Sequence, residues 1–406
     1  MNILMITQLY PEVDDEGGYK VTHTVEYFCK EWAKDGHDVF VVHCPSKFPL
    51  CYYLIPKRIK NMLIGSTLRI IPSYKSRRVL DYYNLGVHVH RLPILKAFPG
   101  KAFSARALGK AARKIQSLLG ENHFKPDIVM GHFSNPSAEL VSRLSKEYVC
   151  PSSIVFHHDC NPDNIQKYRL KLACNSIGAI GCRSVYEAKQ IKNDLQLPEM
   201  PFICYSGVPN DAIESAEHIC KKHSYEKGTK YLFVGGLLKS KNVDCVIAAF
   251  AKVKKDGDTL EIIGSGNEEA HLKQMAHDLA LEECVLFSGR ISRNEVFEKM
   301  RSSHIFAMIS DYETYGMVYI EAMLQGCITI ASKRGGFDGI IQDGENGFLC
   351  NPGDSDMLYE IFSKIALLSV DERNRIGQNA INVGLNYSER DVAIRYLNDV
   401  LKRNEC

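Results

Sequence analysis

Short runs of apolar and β-branched residues alternate with longer amphipathic stretches along almost the whole chain. Continuous apolar runs between amphipathic segments are typical of parallel strands that are covered by helices on both faces of a sheet. We therefore predict an α/β fold of strand–helix units with right-handed crossovers. The predicted strands fall into two series: Ile3–Thr7, Val39–His43, Val87–Leu92, Asp127–His132, Ser153–His157 and Ile177–Cys182, then Tyr231–Val234, Leu260–Ile263, Val285–Ser288, Ile305–Ile309 and Ile328–Ala331.

Two series of strands predict two Rossmann-like domains, which suits 406 residues at roughly 100–200 residues per domain. We expect a first domain over 1–205, a polar linker over 206–228 and a second domain over 229–385. The remaining residues, 386–406, are expected to form a helix that packs back on the first domain. No apolar run approaches the roughly 18 residues of a spanning helix, and Met1–Thr7 is typical of a strand rather than a signal peptide.

The 14 cysteines are scattered, and no two of them have the C-x-x-C spacing of zinc ribbons or thioredoxin-like proteins. Many lie in apolar runs, where a free cysteine behaves as a small hydrophobic residue. Free thiols are typical of a reducing compartment, so we expect a cytoplasmic protein.

The charge is unevenly distributed, although the net charge of +2 argues against a nucleic-acid partner. Fifteen Lys and Arg but only one acidic residue, Asp81, lie between Val39 and Gly120. A helix predicted within 101–120 places Arg106, Lys110, Arg113 and Lys114 on one face and Leu108, Ala111, Ile115 and Leu119 on the other. Together with the mixed basic and apolar stretch 55–71, this pattern suits an anionic ligand or membrane surface. An ordinary solvated face is the plainer alternative.

Two carboxylates, Glu313 and Glu321, stand near the end of a predicted strand. The strand ends at Ile309, a helix is expected to begin near Tyr315, and Gly326 is expected to stop that helix. This arrangement would place Glu313 at the carboxyl edge of a parallel sheet, where ligands bind in such folds, and Glu321 about two turns into the helix. The amides of Thr314 to Met317 would form an anion site, and a carboxylate can accept hydrogen bonds from a ribose diol. A helix-capping Glu followed by a solvated Glu is the alternative that spacing alone leaves open.

The segment from Glu313 to Ala322 resembles the E-x7-E signature of family 4 glycosyltransferases. The resemblance implies a retaining, nucleotide-sugar-dependent enzyme with the GT-B fold, in which two Rossmann-like domains face each other across an interdomain cleft. Further matching segments occur in the same order along the chain: Gly17-Gly18, Gly36-His37-Asp38-Val39, Val234-Gly235-Gly236-Leu237, Lys241, Ile262-Ile263-Gly264-Ser265-Gly266, Gly335-Gly336, residues 343–349 and Pro352-Gly353-Asp354.

The resemblance assigns roles to individual residues. It implies that Glu321 binds the ribose, that Glu313 faces the donor sugar and that Lys241 neutralises the departing diphosphate. It also implies that His157 contacts the donor sugar, and we expect His132 on the acceptor side. The remaining expected donor contacts are backbone or glycine positions: Gly17, Gly18, Gly235, Gly236, Gly264, Gly266, Thr314, Tyr315, Gly316 and Met317.

One position departs from the family pattern. Gly236 stands where the family usually has an arginine that contacts the diphosphate. Arg290 and Arg334 are the expected substitutes. This departure is the best argument for an alternative function, a non-catalytic GT-B-like subunit that assists a partner transferase. A nucleotide-sugar epimerase or a phosphorylase of the same fold is the other alternative, although a phosphorylase would need a far longer chain.

The expected reaction moves a sugar from a nucleotide-sugar donor, expected to be UDP-linked, to an acceptor bound by the first domain. The acceptor would be a saccharide or a polyprenyl-diphosphate-linked saccharide in polysaccharide or glycan biosynthesis, reached from the cytoplasmic face of the membrane. We expect no metal and no cofactor. His157-His158-Asp159-Cys160 lacks the paired ligand spacing of a structural zinc site, and Asp354-Ser355-Asp356 suits a helix N-cap better than a metal site.

Overall fold

The computed structural model describes residues 1–11, 23–55, 77–98, 100–217, 225–311, 313 and 315–405. These residues form two compact units. The first comprises Met1–Arg183, Glu187–Cys204 and the chain from Ala393 onward, and the second comprises Ser184–Tyr186 and Tyr205–Val392. Each unit is built on its own sheet, which is mainly parallel in the first unit and entirely parallel in the second, and this confirms the predicted α/β fold class.

The sheet of the first unit has eight strands in the order β10-β9-β8-β7-β1-β2-β5-β4. All neighbouring strands are parallel except β4 and β5, which are antiparallel at one edge. A separate parallel ribbon joins β3 to β6. The strand bounds are β1 Asn2–Thr7, β2 Asp38–His43, β3 Ser46–Lys47, β4 Leu80–Asn84, β5 Val87–Arg91, β6 Ile94–Leu95, β7 Ile128–His132, β8 Ser152–Val155, β9 Ala179–Cys182 and β10 Phe202–Ile203.

The sheet of the second unit is entirely parallel, with six strands in the order β13-β12-β11-β14-β15-β16. Its central strands are buried along nearly their whole length, as the continuous apolar runs predict. The strand bounds are β11 Lys230–Val234, β12 Thr259–Ile263, β13 Val285–Gly289, β14 Ile305–Met308, β15 Ile328–Ser332 and β16 Phe348–Cys350.

Helices connect the strands in both units, and several begin at side-chain caps that the sequence supplies. Ser292 with Glu295, and Ser369 with Glu372, form complete capping boxes. The helix bounds are α1 Thr24–Lys34, α2 Leu50–Leu54, α3 Ala105–Glu121, α4 Ser137–Tyr148, α5 Pro162–Tyr168, α6 Leu170–Cys174, α7 Val185–Leu195, α8 Asn210–Glu217, α9 Val243–Val253, α10 Glu269–Asp278, α11 Arg293–Ser302, α12 Met317–Leu324, α13 Ser355–Leu367, α14 Val370–Gly384 and α15 Glu389–Asn404.

The chain between and after the two series differs in detail from the expected linker and tail. The segment expected to be a linker contains α8 and belongs to the second unit, and residues 218–224 lie outside the described part of the chain. The end of α15 belongs to the first unit. There the indole Nε1 of Trp32 donates to the carbonyl of Ala393 at 2.9 Å, and Tyr396 lies against Phe28.

Among the helices that the structure describes, none combines the length and the apolar character needed to cross a membrane.

Candidate functional site

The carboxyl edge of the second sheet is formed by glycine loops that lie very close together. The amide of Gly235 donates to the carbonyl of Ile263, and the amide of Leu237 donates to the carbonyl of Ser265. A Cβ atom on Gly264 would lie 1.8 Å from the carbonyl oxygen of Gly235, and the φ of Gly264 is +143°. Only glycine at position 264 allows the two loops to approach this closely. Gly264 therefore determines how the loops pack at this edge of the sheet.

Lys241 follows β11 at this edge, in a short 3₁₀ turn spanning Lys239–Lys241. The next residue, Asn242, adopts the left-handed conformation at φ +51°, which asparagine tolerates better than most residues. Its side-chain amide donates to the carbonyl of Ile309 at 2.9 Å and to the carboxylate of Asp311 at 2.7 Å. These bonds fix the lysine turn to the loop that follows β14.

The same loop carries Glu313, and the structure brings it into contact with Lys241. The ammonium Nζ of Lys241 lies 2.5 Å from Oε2 of Glu313. The two side chains are 19% and 18% exposed, so the pair is accessible to a ligand while it is largely shielded from water. An incoming diphosphate could replace the carboxylate as the partner of the lysine, since both are anionic oxygen ligands.

Helix α12 begins at Met317, two residues later than expected, because Gly316 at φ +82° makes the turn into it. Among the described residues, no side chain caps this end by a hydrogen bond, and no acidic residue lies in the first turn, so the amides at the start of the helix have no side-chain partner there. The helix ends at Leu324, and Gly326 follows in the left-handed conformation, which confirms the expected stop. Tyr315 is buried beside this turn, and Thr314 lies outside the described residues.

Glu321 is the fifth residue of α12, so it lies just over one turn into the helix rather than two. Its Oε1 accepts a hydrogen bond from Nη2 of Arg293 at 2.7 Å, with the glutamate 15% exposed and the arginine 52% exposed. Sequence reasoning missed Arg293. The signal was present, because Arg293 is the first residue of α11, directly after the N-cap Ser292 that follows β13, and this position also lies at the carboxyl edge.

The two expected substitutes for the missing arginine are not part of these ion pairs. Arg290 and Arg334 are both exposed, and neither forms an ion pair with a carboxylate of the described residues. The backbone amide of Arg334 donates to Asp338, so this residue belongs to a local turn. Gly236 is exposed between the lysine turn and the glycine loops. Gly17 and Gly18 lie outside the described residues.

The carboxyl edge of the first sheet carries a pair of histidines. Nδ1 of His132, at the end of β7, lies 2.7 Å from Nε2 of His157, which follows β8. His132 is fully buried, and its expected place on the acceptor side stays a prediction. His157 is half-buried, and Phe133 stacks on its ring at 4.1 Å between centroids.

The burial of His132 assigns the proton positions in the pair. A neutral imidazole has one donor nitrogen and one acceptor nitrogen, and Nε2 of His132 is buried without a partner among the described groups. A buried N–H without a partner is rarer and more costly than an acceptor without one. We therefore assign the proton of His132 to Nδ1, which donates to His157. His157 then carries its own proton on Nδ1 and offers a hydrogen-bond donor.

Charged groups surround this pair. Burial, followed by the positive charge of Arg183, holds the pKa of His132 well below its usual range, and the same causes act on the pKa of His157. Glu187 is buried, and its carboxylate accepts hydrogen bonds from the amides of Arg183 and His158. Burial nevertheless raises the pKa of Glu187 to about 7.

The basic helix of the first unit is α3, which begins at the side-chain cap Ser104. Its apolar face is buried as predicted, with Leu108, Ala111, Ile115 and Leu119 in the core. Arg106, Lys110, Arg113 and Lys114 are all exposed. Most of the mixed stretch 55–71 lies outside the described residues.

The described parts of the chain contain no group of three or more His, Cys, Asp or Glu side chains arranged to hold a metal ion. The carboxylate of Asp159 accepts hydrogen bonds from the amides of Ser134 and His157 instead. Asp354 caps α13 by accepting from the amide of Met357, which confirms the N-cap prediction. The cysteines that the structure describes are free thiols.

Comparison with known proteins places these features in a family. The model of the glycosyl transferases group 1 family matches residues 214–383. The sulfoquinovosyl transferase of Arabidopsis thaliana is 30% identical over 385 residues, which cover 85% of this chain and 73% of that protein. The chain belongs to the group 1 glycosyl transferases. An N-acetyl-α-D-glucosaminyl L-malate synthase of Bacillus anthracis is 32% identical over 163 residues, but these cover only 39% of this chain and 42% of the synthase.

Solved structures confirm the fold of this group 1 glycosyl transferase. The HepE protein of Anabaena, crystallised in complex with UDP, superimposes with a TM-score of 0.66 at 17% identity, over 99% of this chain and 100% of the other. The fold is therefore of the GT-B class, with a Rossmann-like sheet in each unit.

Proposed function

We propose that this group 1 glycosyl transferase is a retaining enzyme of the family 4 type, which moves a sugar from UDP to a saccharide or a lipid-linked saccharide. The observation that carries this proposal is the contact between Lys241 and Glu313 at the carboxyl edge of the second sheet. The complex of the similar HepE protein with UDP supports the choice of nucleotide. The names of the two relatives support a sugar-transfer reaction that builds glycolipids or other glycans.

Lys241 has the central electrostatic role in this proposal. When the bond between the anomeric carbon and the diphosphate oxygen breaks, negative charge grows on the leaving group. A fixed ammonium and the uncapped amides of α12 would stabilise that charge, and such preorganised groups act most strongly where water is largely excluded. These groups would supply the positive charge without a metal ion or cofactor.

The carboxylates would position the donor. Glu313, released from Lys241 when the diphosphate binds, would hold hydroxyl groups of the sugar, and the free oxygen of Glu321 would accept hydrogen bonds from the ribose diol. Arg293 would keep the Glu321 carboxylate in place. His157 would contribute a donor N–H to the sugar. We propose departure and attack on the same face of the sugar, with Glu313 as a positioning group rather than a covalent nucleophile.

We propose that the first unit binds the acceptor, with Arg106, Lys110 and Lys114 of α3 facing an anionic group. A cytoplasmic location with peripheral contact to the inner membrane surface would follow from a lipid-linked acceptor.

Release of UDP from a panel of UDP-sugars, with and without saccharide acceptors, tests the proposal. Lys241→Ala should lower the single-turnover rate at saturating donor by about 10²–10³-fold, the usual effect of removing one preorganised charge stabiliser. Lys239→Ala is the matched control, because Lys239 lies in the same turn and is exposed. EDTA should leave the rate unchanged.

The alternatives give different products in the same assay. An epimerase would convert one UDP-sugar into its epimer, and a non-catalytic subunit would bind UDP without consuming any donor. Loss of UDP affinity in Lys241→Ala with an unchanged rate at saturation would show uniform binding of ground state and transition state, and would contradict the role given to this lysine.

A further inference from the structure

The first unit contains a groove of about 400 Å³ between α3 and the β3–β6 ribbon. This volume lies within the roughly 300–1,000 Å³ of small-molecule sites. One wall is the face of α3 that carries Arg106, Lys110 and Lys114, which are spaced four residues apart and therefore lie above one another on the helix. The groove is a defined concave site rather than a flat charged surface.

The opposite wall adds a fourth cation that sequence reasoning did not single out. Lys47 in β3 lines the groove, and its carbonyl accepts a hydrogen bond from the amide of Lys96 at 2.8 Å, which ties the ribbon together. Burial and the nearby charge of Arg77 lower the pKa of Lys47 below its usual range. Positive charge is therefore concentrated on both sides of the groove.

No acidic residue is among the described residues that line the groove. Lys47, Arg106, Lys110 and Lys114 also form no ion pair with a carboxylate of the described residues. Four cations held near one another without counter-charges repel each other, and a multiply charged anion would relieve that repulsion. The rest of the lining is mainly apolar: Leu92, Pro93, Ile94, Leu95, Ala107 and Ala111.

We propose that this groove binds the phosphate or diphosphate group of a phosphate ester, with the cations of α3 and Lys47 on the anion and the Leu92–Leu95 segment against the esterified portion. The proposal rests on the proposed function only where it identifies the bound phosphate ester as part of the sugar acceptor. Binding of the anion itself is independent of the donor site.

Arg113 provides a control that separates this groove from general electrostatics. It is exposed on the same helix between Lys110 and Lys114, but it does not line the groove. A diffuse attraction to anions would respond equally to the loss of any of these charges. A groove site would respond to Lys110 and Lys114 and would be nearly indifferent to Arg113.

Calorimetric titration with pyrophosphate at low salt tests the proposal, with UDP present in excess so that a second diphosphate site does not contribute. Lys110→Ala and Lys47→Ala should each weaken pyrophosphate binding by about ten-fold or more, as expected for a charge-assisted contact, and Lys110→Arg should restore most of it. Arg113→Ala should change the affinity by less than about two-fold. Equal losses in Lys110→Ala and Arg113→Ala, or no binding by the unmodified protein, would overturn the proposal.

Vesicles of phosphatidylcholine with and without phosphatidylglycerol distinguish the source of the phosphate. Sedimentation with the anionic vesicles that is lost in Lys110→Ala but kept in Arg113→Ala would support the groove and indicate a lipid ester. Pyrophosphate binding without sedimentation would support the groove and indicate a free ester. Sedimentation that falls equally in both variants, without pyrophosphate binding, would overturn it. A separate titration with UDP alone reports on the donor site, so its failure would count against the proposed function and not against the groove.

Discussion

Gly236 stands where the resemblance to family 4 implies an arginine, and the backbone there leaves room for a side chain. The nearest atoms to a Cβ at this position belong to Leu238, at 3.7 and 3.8 Å, which is ordinary contact. Gly264, only a short distance along the same edge, has no such room. The glycine at 236 is therefore a chemical difference rather than a requirement of the fold.

Gly236→Arg should restore a diphosphate contact without disturbing the fold. We expect the free energy of unfolding to change by less than about 0.5 kcal/mol, as for other surface changes, and UDP affinity to rise by about five- to ten-fold through one added charge-assisted hydrogen bond. Calorimetry with UDP measures the second quantity. Gly264→Ala is the opposite control and should lose stability, because its Cβ would overlap the carbonyl of Gly235. Unchanged UDP affinity in a folded Gly236→Arg would count against a diphosphate at this loop.

At the scale of elements, the eleven predicted strands are all present, with ends that differ by only one or two residues from the expected ones. The strands that sequence reasoning missed are β3, β4, β6, β10 and β16. Four of these have only two or three residues, and β4 lies at the antiparallel edge, where alternate residues face solvent. Such strands lack the continuous apolar run by which a buried parallel strand is recognised.

For the candidate site, the sequence predicts which residues lie at the carboxyl edges but not which side chains pair with them. The carboxyl-edge positions of Lys241, Glu313 and His157 follow from where the strands end. Their partners do not, because Arg293 reaches Glu321 and His132 reaches His157 through side-chain directions that no spacing in the sequence specifies.

Buried histidines at the carboxyl edge of the first sheet predict that acid destabilises the first unit. Burial and the charge of Arg91 lower the pKa of His43 to about 3, and His132 and His157 are also held neutral. In the unfolded chain these rings take up protons near pH 6.5. Their stabilising effect is therefore complete above that pH and is lost as the pH falls below it; for His43 the loss is about 2 kcal/mol between pH 7.5 and 5.

Glu187 acts in the opposite direction. Its pKa of about 7 means that the folded unit prefers the protonated carboxyl, so acidification from pH 7 returns about as much stability as one histidine loses. Hydrogen exchange of the strands of the first sheet at pH 7.5, 6 and 5 should show the net loss. His43→Gln should make the stability of the first unit less dependent on pH, because it removes one titrating ring. The fold should tolerate this change, since an amide can still donate to the carbonyl of Gln8. Exchange rates that show no loss of stability below pH 6.5, once corrected for intrinsic chemistry, would contradict neutral histidines.

At the scale of the whole molecule, the charge is divided along the chain. Of 50 Lys and Arg and 48 Asp and Glu, the segment from Val39 to Gly120 holds fifteen and one, so the rest of the chain carries a net charge of about −12. The donor site proposed in the second unit thus depends on a few local cations, whereas the positive charge of the chain is concentrated between Val39 and Gly120. A nucleotide ligand should therefore stabilise the second unit and leave the first unit unchanged.

UDP should stabilise the second unit specifically. At about 100 times its dissociation constant, a ligand that binds only the folded state adds about 2.7 kcal/mol to the free energy of unfolding. We expect hydrogen exchange to slow in β11, in the lysine turn and at the start of α12, while β7 and β8 of the first sheet stay unchanged.

Glu321→Ala is the matched variant: loss of a charged hydrogen bond to the ribose costs about 1.5–3 kcal/mol of affinity. At the same UDP concentration its stabilisation should therefore fall to between about 0.3 and 1.3 kcal/mol. If UDP slows hydrogen exchange equally in Glu321→Ala and in the unmodified protein, Glu321 does not bind the ribose. If UDP slows exchange only in the first sheet, the nucleotide binds in the first unit, which contradicts the proposed function.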